Sequence, residues 1–333
     1  MAKYDLKALP IGYEVHGINL KNELPADIVD QIRKDTIKHK ILVFKNQGVI
    51  LPQRQLQITR WFGDIEELGI EEHARVKGCT GVLRVSNDEL EGLRGFGTSG
   101  FHIDGGFLHN PCANSIYHIV SCPKAGKTVF IDLAKIIENL AQEMLLRWER
   151  LWPVWTYKQI LGSCNSGPTV VAHPLIYPHP LTSQPTLAIA MGKIKRFIWD
   201  MGTATERKAT REESTSILKE IQNELDKNVQ YAHAWESGDF IITDNLAVGH
   251  YADADTQMTK EEVGLRVMHR TCVRGKFVPF KNDCIPIEPS ITAPNSEELP
   301  SLTDLELNLP DDVVKDIENR IEEIKKEELP IKD

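Results

Sequence analysis

His102 and Asp104 stand two residues apart in the stretch Phe101-His102-Ile103-Asp104-Gly105-Gly106-Phe107. Two residues is the β-strand repeat, so in an extended segment the imidazole and the carboxylate leave the same face. With one more imidazole from elsewhere they would form a 2-His-1-carboxylate facial triad. That triad holds Fe(II) on one side and leaves the other positions open to oxygen and an organic co-substrate. A bare His-x-Asp occurs often by chance and usually marks a surface or hydrogen-bonded pair. His250 is the third candidate, because it follows one apolar run and precedes another, where a folded sheet returns a strand to the same region. Further on come Arg266 and Arg270 in the run Leu265-Arg266-Val267-Met268-His269-Arg270-Thr271-Cys272-Val273. On a strand Arg266, Met268 and Arg270 share one face, while Val267 and His269 share the other. Guanidiniums do not shed their charge, so two of them on an apolar strand need anionic partners or water.

The elements that must position these residues are mostly short strands. Ile41-Leu42-Val43-Phe44, Val82 to Asn87, Ser115 to Val120 and Thr128 to Asp132 are apolar runs of strand length bounded by turn signals. Tyr231 to Trp235 and Asp239 to Thr243 follow, joined by Glu236-Ser237-Gly238. Helical spacing predicts helices from Pro25, from Pro52, over 134–151 and over 209–227. Many short strands interrupted by helices fit a mainly β chain with helical additions, a jelly roll, and there is no strand–helix alternation for a doubly wound sheet. Glu91 to Gly100 holds four glycines and leads straight into the His-x-Asp stretch, which suits a mobile lid beside an open metal position. His173 and His179 have no Cys or His companions for a zinc site and are assigned to structure, and Trp148, Trp152 and Trp155 to the core.

Composition sets the boundaries. The 333 residues are 41% hydrophobic and 26% charged, ordinary values for a globular enzyme, and the net charge of −9 with no long basic block argues against nucleic-acid binding. No apolar run approaches the roughly 18 residues of a membrane-spanning helix. Cysteines 79, 112, 122, 164, 272 and 284 form no Cys-x-x-Cys pair, and Met1-Ala2-Lys3-Tyr4-Asp5 lacks the apolar core of a signal peptide. Reduced thiols in a cytoplasmic protein are the expectation. Residues 1–284 are expected to form one domain. Residues 285–333 are read as a proline-rich linker and an amphipathic helix, with Val314, Ile317, Ile321 and Ile324 packing on that domain or on a partner subunit of a homo-oligomer.

His102-x-Asp104, Thr128, His250 and Arg266 together resemble the signature of the Fe(II)/2-oxoglutarate dioxygenases of the taurine dioxygenase (TauD/TfdA-like) family. The likeness runs from about residue 8 to 280 and includes Trp61-Phe62-Gly63, Gly126-Lys127-Thr128, Ala172-His173-Pro174-Leu175 and Asp244-Asn245. The resemblance implies a double-stranded β-helix (jelly roll, cupin-like) in which His102, Asp104 and His250 hold iron. It further implies that Arg266, assisted by Thr128, pairs with the distal carboxylate of 2-oxoglutarate, and that O2 is consumed to give succinate and CO2. Arg270 matches a position that binds an acidic group of the substrate, and Asn87, closing its strand, one that touches substrate, with a turn-forming Asn as the alternative. A small carboxylate or sulfonate metabolite is therefore expected, undergoing hydroxylation or oxidative ring closure. Kainoid pyrrolidine formation on an N-prenylated glutamate is one such closure, and a taurine-type dioxygenase is the alternative.

The sequence departs from the family in a longer His250–Arg266 interval, which carries Asp253 to Glu262. The retained Asp104 argues against a halogenase. A non-catalytic jelly-roll binding protein would not need the full triad with Arg266 and Thr128. A zinc hydrolase built on the same three ligands would leave Arg266 unexplained.

Overall fold

The computed structural model describes residues 4–67, 74–157 and 169–281, so the expected linker and helix of 285–333 lie outside the described residues. The layers follow from alternation along the strands. In Ile41–Phe44, Ile41 and Val43 enter one core cluster, and Leu42 and Phe44 another on the opposite face. Asn114–Ser121 repeats this with Tyr117 and Ile119 against Ile116, and Phe240–Asp244 with Ile241 against Phe240 and Ile242. Strands apolar on both faces must be covered on both. On the outer face the cover is the helices Ala26–His39 and Pro52–Arg60, through Ile32 and Ile58.

These strands belong to an eight-stranded sheet. Its order is Asp5–Ala8, Tyr13–His16, Ile41–Phe44, Phe240–Asp244, Asn114–Ser121, Val267–Cys272, Cys79–Ser86 and Arg75–Val76. Its inner face meets a three-stranded sheet of Tyr231–Ala234, Lys127–Asp132 and Val248–Ala252, which supplies Phe130 and Val248 to the shared core. Consecutive strands change sheets. Tyr231–Ala234 pairs with Lys127–Asp132, while Phe240–Asp244, a short turn later, pairs with Asn114–Ser121. That crossing turn needs Gly238, at φ +80°, because a β-carbon there would lie 2.4 Å from the backbone nitrogen of Gly48. Two facing sheets joined in this way are the expected double-stranded β-helix. The outer face of the small sheet, Val129 and Ile131, packs on Trp148, Trp155, Phe197 and the helix Arg211–Lys227 through Ile217, Ile221 and Leu225. Among the described residues no helix is long and apolar enough to cross a membrane.

Three local expectations are corrected and one strand is added. The helix over 134–151 is two helices, Leu133–Asn139 and Gln142–Trp148, separated by an extended Leu140, and the chain is already a strand at Leu151–Tyr157. Tertiary contacts outweigh the helical period here, since the second helix aims Trp148 Nε1 at Glu220 Oε1, 2.7 Å away, and Pro153 disfavours helix at Trp152. Trp148 and Trp155 are fully buried, whereas Trp152 is only half-buried. The strand Ile194–Trp199, which pairs with Leu151–Tyr157, was not anticipated, because a register shift between Ile194 and Arg196 breaks its alternation. Finally, His102 to Asp104 is no regular strand. His102 makes isolated bridges to Ala190 and His250, and the chain turns at Asp104.

Candidate active site

Backbone pairing brings the two imidazoles together. His102 N donates to His250 O at 3.0 Å and His250 N to His102 O at 2.9 Å, which sets the rings 4.4 Å apart between centroids. The turn after Ile103 then swings Asp104 back beside them, held by a clip from Asn245. Asn245 Oδ1 accepts from Asp104 N at 2.7 Å, and its Nδ2 donates to Asp104 O at 2.9 Å and Cys112 O at 2.7 Å. Asp104 Oδ1 lies 3.9 Å from His102 Nε2 and 3.6 Å from His250 Nε2. Among the described residues this is the one cluster of three such side chains placed to hold a metal ion, its ligand atoms all within 4.8 Å of one another.

The donor set fits ferrous iron: two imidazoles, one carboxylate and no thiolate ligand. His102 Nδ1 donates to Gly100 O at 2.9 Å, which fixes the tautomer and leaves Nε2 to ligate. Burial first, and His250 second, push the His102 pKa down to about 3, so the ring is neutral. Burial alone would raise the Asp104 pKa, but Arg270 and then His250 outweigh it and hold the carboxyl well below the ordinary range. Arg270 grips Asp104 bidentately, Nε to Oδ2 at 2.9 Å and Nη2 to Oδ1 at 2.5 Å. Ser115 Oγ and Tyr117 OH also donate to Asp104 Oδ2, at 2.5 and 3.0 Å. Tyr117 OH is equally 3.0 Å from His250 Nε2, and burial pushes its phenol well above the ordinary pKa, so it stays a neutral donor.

The arginine strand Val267–Cys272 and the residue before it behave as the period of two predicts. Arg266 Nη2 contacts Met268 Sδ at 3.6 Å, which places Arg266 and Met268 on one face, and Arg270 follows two residues on, about 13 Å from Arg266 along the strand. Arg266 is 3% exposed, its Nε has no hydrogen-bond partner, and burial pushes its pKa down to about 10. A buried guanidinium with an orphaned donor fits a ligand carboxylate. Thr128 is buried on Lys127–Asp132 and its Oγ1 accepts from Trp235 Nε1 at 3.0 Å, leaving the hydroxyl hydrogen available. Among the described residues no direct hydrogen bond joins Thr128 to Arg266. Asn87 is spent on backbone: its Oδ1 accepts from Arg266 N, and its Nδ2 donates to Met258 O and Gly264 O.

The glycine-rich loop crosses the mouth of the site. The Phe96 ring lies 4.9 Å from the Arg270 guanidinium carbon, and a β-carbon on Gly97 would lie 3.8 Å from His102 Cε1. The long His250–Arg266 interval holds this loop, with Gln257 Oε1 accepting from Gly95 N and Gln257 O from Arg94. His173 and His179 are structural, bonded to Leu108 O and Asp244 Oδ1. Ser115 and Tyr117 were missed, and Asn245 was noted without a role. Strand parity in Ser115 to Val120 puts Ser115 and Tyr117 on one face and was the available signal for the first two. No local pattern marks the Asn245 clip.

Comparison with known proteins adds the following. The family model described as taurine catabolism dioxygenase TauD, TfdA family matches residues 4–272. The chain is 24% identical over 262 residues to an alpha-ketoglutarate-dependent sulfate ester dioxygenase of Pseudomonas putida, covering 74% of this chain and 82% of that protein. It is 25% identical over 263 residues to an (S)-phenoxypropionate/alpha-ketoglutarate-dioxygenase of Sphingobium herbicidovorans, covering 72% and 85%. Among solved structures, a taurine dioxygenase from Burkholderia xenovorans superposes with a TM-score of 0.68 at 25% identity, covering 85% of this chain and 92% of that one.

Proposed function

The chain belongs to the taurine catabolism dioxygenase TauD, TfdA family and is an Fe(II)- and 2-oxoglutarate-dependent dioxygenase, and from that premise we propose that it abstracts hydrogen from a small anionic metabolite bound beside His102, Asp104 and His250. His102, Asp104 and His250 hold the iron; Arg266 and the Thr128 hydroxyl hold the distal carboxylate of the keto acid. When bound, iron, keto acid and O2 together supply oxidative decarboxylation to succinate and CO2, coupled to removal of a substrate hydrogen. The observation that carries the reading is the pairing of the two-imidazole, one-carboxylate cluster with Arg266, a buried cation whose Nε is unsatisfied.

The protein's own groups do the positioning. Asn245 fixes the backbone of Asp104, while Arg270, Ser115 and Tyr117 fix its carboxylate. The Nη1 edge of Arg270 makes no hydrogen bond among the described residues and is free to take an anionic group of the substrate. The loop through Phe96 and Gly97 excludes water from the mouth as a lid. An anionic substrate accords with the sulfate ester and phenoxypropionate named for the two relatives. The outcome is hydroxylation or oxidative ring closure, and kainoid-type pyrrolidine formation on an N-prenylated glutamate is the finer reading. The test is anaerobic reconstitution with Fe(II) and 2-oxoglutarate, read by the metal-to-ligand absorption band and by O2-dependent succinate release. Succinate release that survives Asp104→Ala would overturn the reading.

A further inference from the structure

The turn that follows Ala190 brings a cation to the mouth of the site. Ala190 bridges His102, Met191 N donates to Phe101 O, and Lys193 N closes the turn on Ala190 O at 2.9 Å. Gly192 allows this turn to lie against the lid, since a β-carbon there would fall 2.4 Å from Ser99 O. Lys193 then reaches across to the residues just past Asp104, its Nζ 3.8 Å from the centroid of the Phe107 ring. Although the residue is exposed overall, its ammonium rests against that half-buried ring. Burial first, and Arg270 second, lower its pKa, with Asp104 acting in the opposite sense. Among the described residues Lys193 has no carboxylate partner, and the one acid that it senses, Asp104, is already gripped by Arg270.

We propose that Lys193 and Arg270 together select a substrate with two anionic groups, Lys193 taking the one that Arg270 does not. This deepens the function proposed above and rests on it. The charges lead to the same count. Counted over the whole site, a bound ferrous ion with Arg266, Arg270 and Lys193 would outweigh Asp104, which Arg270 grips, and the two carboxylates of the keto acid by two charges, and a dianion balances that excess. A cation already stripped of part of its hydration and resting on an aromatic face loses little further solvation when an anion arrives, so it favours dianions over monoanions. Phe107 sets the height of the ammonium, and the short turn from Ala190 limits its swing.

The experiment titrates anaerobic protein, loaded with Fe(II) and saturating 2-oxoglutarate, with an N-alkylated glutamate and with the matching γ-aminobutyrate, which keeps one carboxylate. Binding is read from the change each causes in the metal-to-ligand band. Wild type is expected to prefer the dicarboxylate. Lys193→Gln should weaken the dicarboxylate by about ten- to a hundred-fold, the loss of one charge-assisted contact, and should collapse the preference. Lys193→Arg should keep most of it, and the band raised by 2-oxoglutarate alone should be the same in all three proteins. Equal binding of both probes by wild type, or unchanged dicarboxylate binding in Lys193→Gln, overturns the proposal while leaving the dioxygenase reading intact. No band in any of the proteins overturns that parent reading, and this proposal with it.

Discussion

Replacing Arg266 with Met separates the cost of a buried charge from its use. The guanidinium is 3% exposed, its Nε is unsatisfied, and its Nη2 lies 3.6 Å from a thioether, Met268 Sδ. Burial lowers its pKa from the ordinary value to about 10, which corresponds to roughly 3 kcal/mol of cost for holding the charge in the keto-acid-free protein. Met fills a similar volume without that charge, and the backbone bonds of Arg266 to Asn87 Oδ1 and Ser86 Oγ do not involve the side chain. Arg266→Met should therefore resist urea without 2-oxoglutarate at least as well as wild type, gaining up to about 3 kcal/mol. Binding should move the other way. A distal carboxylate buried without its partner costs roughly 3–5 kcal/mol, so the Kd for 2-oxoglutarate should rise about a hundred- to a few-thousand-fold. Urea unfolding of the keto-acid-free protein and anaerobic titration of the absorption band measure the two effects. A variant that binds 2-oxoglutarate within threefold of wild type, or that loses more than about 2 kcal/mol without it, would refute the claim that this arginine is unpaired until the keto acid arrives.

Asn245→Ala removes three buried hydrogen bonds to the backbone of Asp104 and Cys112 and should cost about 3 kcal/mol in urea and about ten- to a hundred-fold in Mn(II) affinity, followed by electron paramagnetic resonance. Tyr117→Phe should leave folding intact by circular dichroism but weaken Mn(II) binding about tenfold, since only the hydroxyl shared by Asp104 and His250 is lost. Away from the site, burial pushes the Asp239 pKa up, but hydrogen bonds from His233 and Lys45 outweigh it and leave the carboxyl below its ordinary range. Stability from this group is thus present above the ordinary carboxylate value of about 4 and is lost as pH falls through the lower folded-state value. Asp239→Asn should be destabilised by about 3 kcal/mol at neutral pH and lose less stability on acidification, as measured by unfolding across pH. Gly192→Ala drives a methyl into Ser99 and should speed limited proteolysis of the loop 93–100 several-fold without shifting the thermal midpoint by more than a few degrees.

The sequence by itself determined which side chains share a face. A period of two put Arg266, Met268 and Arg270 together, and the apolar alternation of Ile41 to Phe44 and Ser115 to Val120 required a covering layer on each side. Those are short-range consequences of strand geometry, and they survive any correct fold. Only the tertiary structure decided that His102 pairs with both Ala190 and His250, that Asn245 clips Asp104, and that Arg270 closes on the same carboxylate. Each of these joins segments far apart in the chain, and their meeting depends on sheet register and on a turn at Gly105, neither of which leaves a periodic trace. The His-x-Asp pair illustrates the division. Its two side chains converge as a strand would predict, yet they do so through an isolated bridge and a turn, because the cluster is held by its partners and not by a strand of its own.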